Sequence, residues 1–436
     1  MRRARAIAVA LAAVAAAAPE AGAALTGTIV GEKSDVYGPE LAVARDGGAV
    51  AAWTRGRDRI FPLAGGPTAA GSRMSRIQVA TGSMGAGFSK PRTLASYLED
   101  DPDWGGPSLA GNRRGDAIVL WRDDAGALRY ATRVAGEPFG AARVLASEGA
   151  MWSVAAAPDG RFVATWASPQ HGPDARISVA TGTAAGGLGE PVELPAPYPL
   201  ALSVQMNRRG TVMVLDEERG ERGGRTRLWL RRPGRSFRVA GHVPGVNVGG
   251  IAAVLRDDDS VVALVSTLRG LVATYRDPGA RFTKPKLYSR DGWFAEVARD
   301  PRGAVAATWT LYDEGGAPRG VLAAEAPPRG RFGTVHEVSR QLGSFVGSIA
   351  AAGNGRRFIA FDQNHPNGRT TSLRVASWQT GHRPRRGRGV GSGCLQDHRA
   401  GVADDGRGLV IWTRAASGGR ERGLFFATID RANPRR

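Results

Sequence analysis

A turn glycine followed six positions later by a large apolar residue recurs along this chain, and no other feature limits its fold so severely. The pairs are Gly47 with Trp53, Gly115 with Trp121, Gly160 with Trp166, Gly303 with Trp309, Gly355 with Phe361 and Gly406 with Trp412. Two weaker copies keep the phase, Gly210 with Asp216 and Asp259 with Val265. Successive turns are 68, 45, 50, 49, 44, 52 and 51 residues apart, so the unit is about fifty residues with an insertion in the first. With 61 glycines and 26 prolines in 436 residues, turns are too frequent for a helical bundle.

Each copy reads as four strands. A small apolar segment such as Val154-Ala155-Ala156-Ala157 leads into a turn such as Asn112-Arg113-Arg114-Gly115, where Asn or Asp caps and glycine takes a positive φ. A β-rich strand follows, for example Arg161 to Trp166, then a third, Arg76 to Thr81 or Arg176 to Thr181. The fourth, Gly87 to Leu94 or Arg281 to Leu287, contains proline and is expected at an edge, since a central strand would lose a ladder bond there. Small inner strands and a proline-bearing outer strand describe a blade of a β-propeller.

The last copy stops after its third strand, Leu424 to Ile429, and the segment Leu25 to Val30 is expected to complete that blade and shut the ring. The expectation is an all-β fold, one propeller of eight four-stranded blades. A seven-bladed ring with one copy misread, or a pair of β-sandwiches, are the alternatives.

The layout resembles secreted bacterial propellers, and the strand Gly87-Phe88-x-x-Pro91-x-x-Leu94 is similar to the repeat of sialidase-like propellers. The resemblance is in architecture only: the aspartate box Ser-x-Asp-x-Gly-x-x-Trp of those enzymes is absent, since glycine here precedes tryptophan by six residues instead of three. No functional residue is carried over.

Residues 1–23 read as a secretory signal: Arg2, Arg3 and Arg5, an apolar run Ala6 to Ala18, and the small-residue site Ala21-Gly22-Ala23. Cleavage near Ala23 would leave 24–436 as one exported propeller domain, expected to be a monomer. The apolar run falls short of the ~20 residues a bilayer requires. Cys394 is the single cysteine, so no internal disulfide forms. The net charge of +19 rests on 59 basic residues, of which four are lysine. The arginines are spread along the chain among acids, as on a solvated surface, which argues against nucleic acid as partner.

In a propeller the loops joining strands two and three, and those joining blades, share one face. These loops carry the expected ligand contacts: Tyr37, Trp104, Asp124, Trp152, His171, Asp216, Trp293, Tyr312, His365 and His398. Rings beside carboxylates suit a carbohydrate, which stacks its apolar faces and offers its hydroxyls; a protein ligand is the other partner considered. The same rings would also serve as plugs between blades. An enzyme reading, glycoside hydrolase or polysaccharide lyase, would draw its two carboxylates from Glu99, Asp101, Glu217 and Asp313. No cofactor fingerprint appears, and the six histidines never pair at ligand spacing, so no metal is expected.

Overall fold

The computed structural model describes residues 23–31, 35–56, 73–99, 106–168, 174–196, 199–218, 224–247, 250–364, 371–385, 387–415 and 422–430. Residues 1–22, and with them the expected signal segment, lie outside the described residues.

The chain is a single eight-bladed propeller of four-stranded antiparallel sheets. The inner strands of blades one to seven are Asp35–Val43, Ser108–Gly111, Ala150–Ala156, Pro199–Met206, Ile251–Leu255, Gly292–Arg299 and Ser344–Ala351. A fifteen-residue strand, Arg388–Val402, joins the last two blades into one continuous sheet. Its first part pairs with Thr371–Gln379 at the outer edge of blade seven, and its second part is the inner strand of blade eight, pairing with Gly408–Ala415. Ala23–Val30 pairs antiparallel with Arg422–Ile429, so the ring is shut by its two ends as the sequence implies.

Eight apolar clusters fill the eight seams between neighbouring blades, including the seam between blades eight and one. Each sheet is therefore covered on both faces, which is why the second strands lack polar alternation; Val261–Thr267 is buried at every position. The residue six beyond the turn is buried in all eight blades, with Trp53, Trp121, Trp309 and Phe361 essentially inaccessible. Truncating such a ring to alanine costs about 3–5 kcal/mol.

The turns follow the chemistry of their residues. Asn112 Oδ1 accepts from the N–H of Arg114 and Asp116, and Asp300 Oδ1 from that of Arg302 and Ala304. Glycine takes φ near +90° at Gly47, Gly303 and Gly355, and Asp259 stands in for it in blade five at φ 69°. The prolines of the outer strands are placed a little differently from expectation. Pro91 and Pro191 sit in a break between two short outer pieces, Gly87–Phe88 and Arg92–Glu99 in blade one, Gly187–Leu188 and Val192–Pro195 in blade three. The missing N–H thus falls where no ladder partner is needed.

Candidate functional site: the axial well

Inner strands run from the loop face to the turn face, and the residue seven before each turn glycine, or before Asp259 in blade five, forms one layer midway along the axis. In seven of the eight blades that residue is polar: Glu40, Ser108, Ser153, Ser203, Glu296, Ser348 and Arg399, with Ala252 the eighth. The layer two residues nearer the turns is mostly small, with Ala42, Ala110, Ala155, Ala298, Ala350 and Gly401. Small residues keep the lumen open there, and polar ones line it above.

Three charges from blades one, six and eight meet in the polar layer. Arg399 Nη2 donates to Glu40 Oε1 at 2.9 Å, and Nε is 3.2 Å from both oxygens of that carboxylate. Glu40 and Glu296 together hold the Arg399 guanidinium charge more firmly than usual, against the cost of its burial. Glu296 is exposed, but to the lumen: protein walls surround it, and this loss of bulk water pushes its carboxyl above the usual range. Arg399 opposes that shift and Glu40 adds to it.

Nearer the mouth, on the seam of blades seven and eight, lies a second group. Asp362, one residue beyond the buried Phe361, is pushed up to about 7 by burial and by the neighbouring Asp397 carboxylate. His398 Nδ1 stands 3.4 Å from Asp362 Oδ1, and its Nε2 is 3.2 Å from the carbonyl oxygen of Ala360. If Nε2 carries the hydrogen for that carbonyl, Nδ1 turns its lone pair to Asp362, and a protonated carboxyl can face it. Gly347 makes room for the imidazole, because a Cβ there would fall 1.9 Å from His398 Nε2.

The mouth is locally strained. Nine residues before the turn glycine, or before Asp259 in blade five, the backbone is left-handed in four blades, at Gly38, Met151, Gly250 and Phe294, with φ of 57°, 49°, 104° and 52°. Register shifts mark bulges around this point in blades one, three and six. Two of the four residues carry side chains, each at a cost of about 1 kcal/mol or more, and Phe294 remains 57% exposed beside the Tyr312 ring at 6.1 Å.

The far end of the lumen is bridged. Arg113 of blade two forms an ion pair with Asp404 of blade eight, and Arg208 Nη2 of blade four donates to the carbonyl of Pro301 in blade six at 3.4 Å. A well results, open on the loop face.

Of the residues singled out in the sequence, His398 lies at this well. Tyr37 sits on the inner strand of blade one with its hydroxyl 3.0 Å from Ser75 Oγ, and Trp152 packs against the apolar seam of blades two and three. Trp293 is half-buried at the start of its inner strand, and burial raises the Tyr312 hydroxyl above its ordinary range. Asp216 is wholly buried, held by Arg227 and by Trp229 Nε1 at 2.7 Å, in the position where other blades keep an aromatic ring. Asp124 is exposed at a loop tip. Asp313 caps its own turn, accepting from Gly315 and Ala317 N–H at 3.0 and 2.8 Å. Glu99 ends the outer strand of blade one and Glu217 is the last but one residue of the second strand of blade four, so neither is placed beside Asp313 in blade six. Asp101, Trp104, His171 and His365 lie outside the described residues. Among the described residues no His, Cys, Asp and Glu side chains group as a metal site, and no helix is long and apolar enough to cross a membrane.

The sequence reasoning missed Glu40, Glu296 and Arg399, although a signal for them was present, as polar residues recurring seven positions before the turn glycine.

No protein-family model matches the chain, and neither does the sequence of any curated protein. Solved structures do resemble it. The BP39L lectin from Burkholderia pseudomallei is 14% identical over 75% of this chain and 96% of its own, with a TM-score of 0.50. A protein of unknown function from Dyadobacter fermentans is 13% identical over 94% and 98%, with a TM-score of 0.47. An ulvan lyase of polysaccharide lyase family PL25 is 11% identical over 91% and 94%, with a TM-score of 0.49. At such identities the likeness bears on fold alone; the eight blades are shown by the sheet topology itself.

Proposed function

We propose that this protein is an exported binding module that takes an uncharged saccharide end into its axial well. The observation that carries the reading is the convergence of Glu40, Glu296 and Arg399 from three blades within a lumen bridged at its far end. Carboxylates accept from sugar hydroxyls, a guanidinium donates to ring and hydroxyl oxygens, and Phe294 with Tyr312 gives a ring edge at the rim. Export rests on the leading segment 1–23, and a protein terminus entering the well is the competing occupant.

Binding to an array of neutral oligosaccharides, followed by calorimetry on the hits, tests this reading. Glu296→Gln should weaken a hit at least tenfold, because it replaces an acceptor-only carboxylate with an amide. Failure of every neutral saccharide to bind, or unchanged affinity in the variant, would overturn it.

A second reading is favoured by one observation. A carboxyl pushed to about 7 beside an imidazole suits proton transfer to or from a sugar, as a lyase or hydrolase requires. Release of reducing or unsaturated ends from the array hits, abolished by Asp362→Asn, would establish turnover; binding without release would leave the first reading.

A further inference from the structure

On the turn face, opposite the well, a cleft of 960 Å³ opens between the strand three to four loop of blade seven and the turns of blades seven and eight. Asn354, Arg356, Trp378, His382, Arg383 and Arg385 are among its walls, together with Asp404 and Asp405. Both acids are already engaged: Asp404 with Arg113, and Asp405 with Arg407 Nε at 2.6 Å. Arg383 and Arg385 are exposed, and neither side chain meets an acceptor among the described residues. The charge facing the cleft is therefore positive.

Its cationic wall is fixed at the root. Thr380 donates to the carbonyl of Gly355 through both N–H and hydroxyl, at 2.9 and 2.7 Å, and Gly381 N–H donates to Glu325 Oε2 at 2.9 Å. A loop anchored in this way presents its arginines with little ordering left to do on binding.

The positive surface continues toward the axis. A smaller hollow of 330 Å³ is lined by Arg45, Arg113, Arg114 and Arg208, and its acid, Asp159, is taken by Arg161. Arg45 and Arg208 lower the pKa of Arg113, after its burial, so like charges are held together here. Asp404 borders the large cleft and reaches into the axial group through Arg113, joining the two basins.

We infer that the turn face binds an extended polyanionic saccharide, sulfated or carboxylated, along a track from Arg45 and Arg208 at the axis to Arg383 and Arg385 at the rim. The cleft is several times larger than a lone sulfate or phosphate requires. Arginine forks match sulfate and carboxylate oxygens in pairs, and Asn354, Ser377 and Gln379 offer partners for hydroxyls between the charges. A single-stranded nucleic acid would want aromatic platforms, and the ring in the cleft, Trp378, is only 4% exposed, its indole N–H bonded to Glu325. This site shares Arg113 and Arg208 with the bridged end of the axial well but faces the opposite way and uses none of Glu40, Glu296 and Arg399, so it stands or falls without a ligand in the well.

The test uses the full chain, a sulfated dextran octasaccharide, a sulfated disaccharide, the unsulfated octasaccharide and a single-stranded oligonucleotide of equal charge. Two double variants, Arg45→Ala/Arg208→Ala and Arg383→Ala/Arg385→Ala, are compared with a charge-matched control, Arg235→Ala/Arg281→Ala, from exposed loops of blades four and five. All six substitutions are of exposed arginines, so melting temperatures should stay together. Each track variant should weaken the sulfated octasaccharide about tenfold or more and the control by less than about threefold. The disaccharide should respond to one track variant and not to both. Equal loss in the control, equal binding of the unsulfated chain, or oligonucleotide binding of the same strength through the same arginines would each overturn the proposal.

Discussion

Asp216 and Asp362 are both carboxylates at the end of a second strand, one in blade four and one in blade seven, and they differ almost entirely in company. Asp216 fills the place of an aromatic ring, with no exposed surface, and is met by the Arg227 guanidinium, itself stacked 5.1 Å from the Trp229 ring, and by the indole N–H. Asp362 lies one residue past the ring, 16% exposed, facing an imidazole at 3.4 Å and a second carboxylate, and its pKa is pushed to about 7. Burial alone does not decide what a carboxyl does. A fixed cation makes one a structural anion; an adjustable neighbour and a like charge make the other a group that exchanges its proton near neutrality.

The sharpest way to break the contrast is Arg227→Met, which strands the Asp216 charge. It should cost about 3–5 kcal/mol in denaturant unfolding at pH 7, and a loss below about 1 kcal/mol would show that Asp216 is not held as an anion by this pair. Next comes Asp362→Asn. An acid with a raised folded pKa keeps its proton when folded after the unfolded chain has released it, so its stabilising contribution is complete below about pH 4 and is lost as pH rises to about 7. The variant stays neutral throughout. Its stability relative to the native chain should therefore rise across that window, by on the order of 4 kcal/mol, and a pH-independent difference would refute the raised pKa.

Gly347→Ala tests the neighbour instead of the acid. The added methyl must displace the buried imidazole, costing about 1–3 kcal/mol, and the His398 ring resonances should move while those of His242 and His336 stay. The smallest effect belongs to an acid that is neither buried nor coupled. Asp313→Ala removes two turn hydrogen bonds and should cost about 1 kcal/mol, visible in the melting temperature and without influence on saccharide binding.

The wheel was legible because its cause is local: a capped turn and a buried residue six positions on recur in every blade, and in six of the eight that residue is a ring. Closure by Leu25 to Val30 was legible for the same reason, as an unpaired third strand, Leu424 to Ile429, demands a neighbour. The strand shared by blades seven and eight was not, since Gly391-Ser392-Gly393 has the composition of a turn and yet the strand pairs straight through it. The well was harder still. Glu40 and Arg399 are 359 positions apart and touch only when the ring has closed. Asp216 was legible as an acid but misplaced among loop residues, although its register with the tryptophans already put it in the core. His398 was picked out among the blade-joining loops, but its pairing with Asp362, which comes from another blade, gave no local sign.

The shared strand has a mechanical consequence. From blade two to three, five to six and six to seven the path from rim to hub includes a short connection outside the ladders; between blades seven and eight it is a hydrogen-bonded spoke, paired along most of its length on one side or the other. Those two sectors must tilt as a single plate, and the plate carries the Asp362–His398 pair on its upper side and the arginine-walled cleft on its underside.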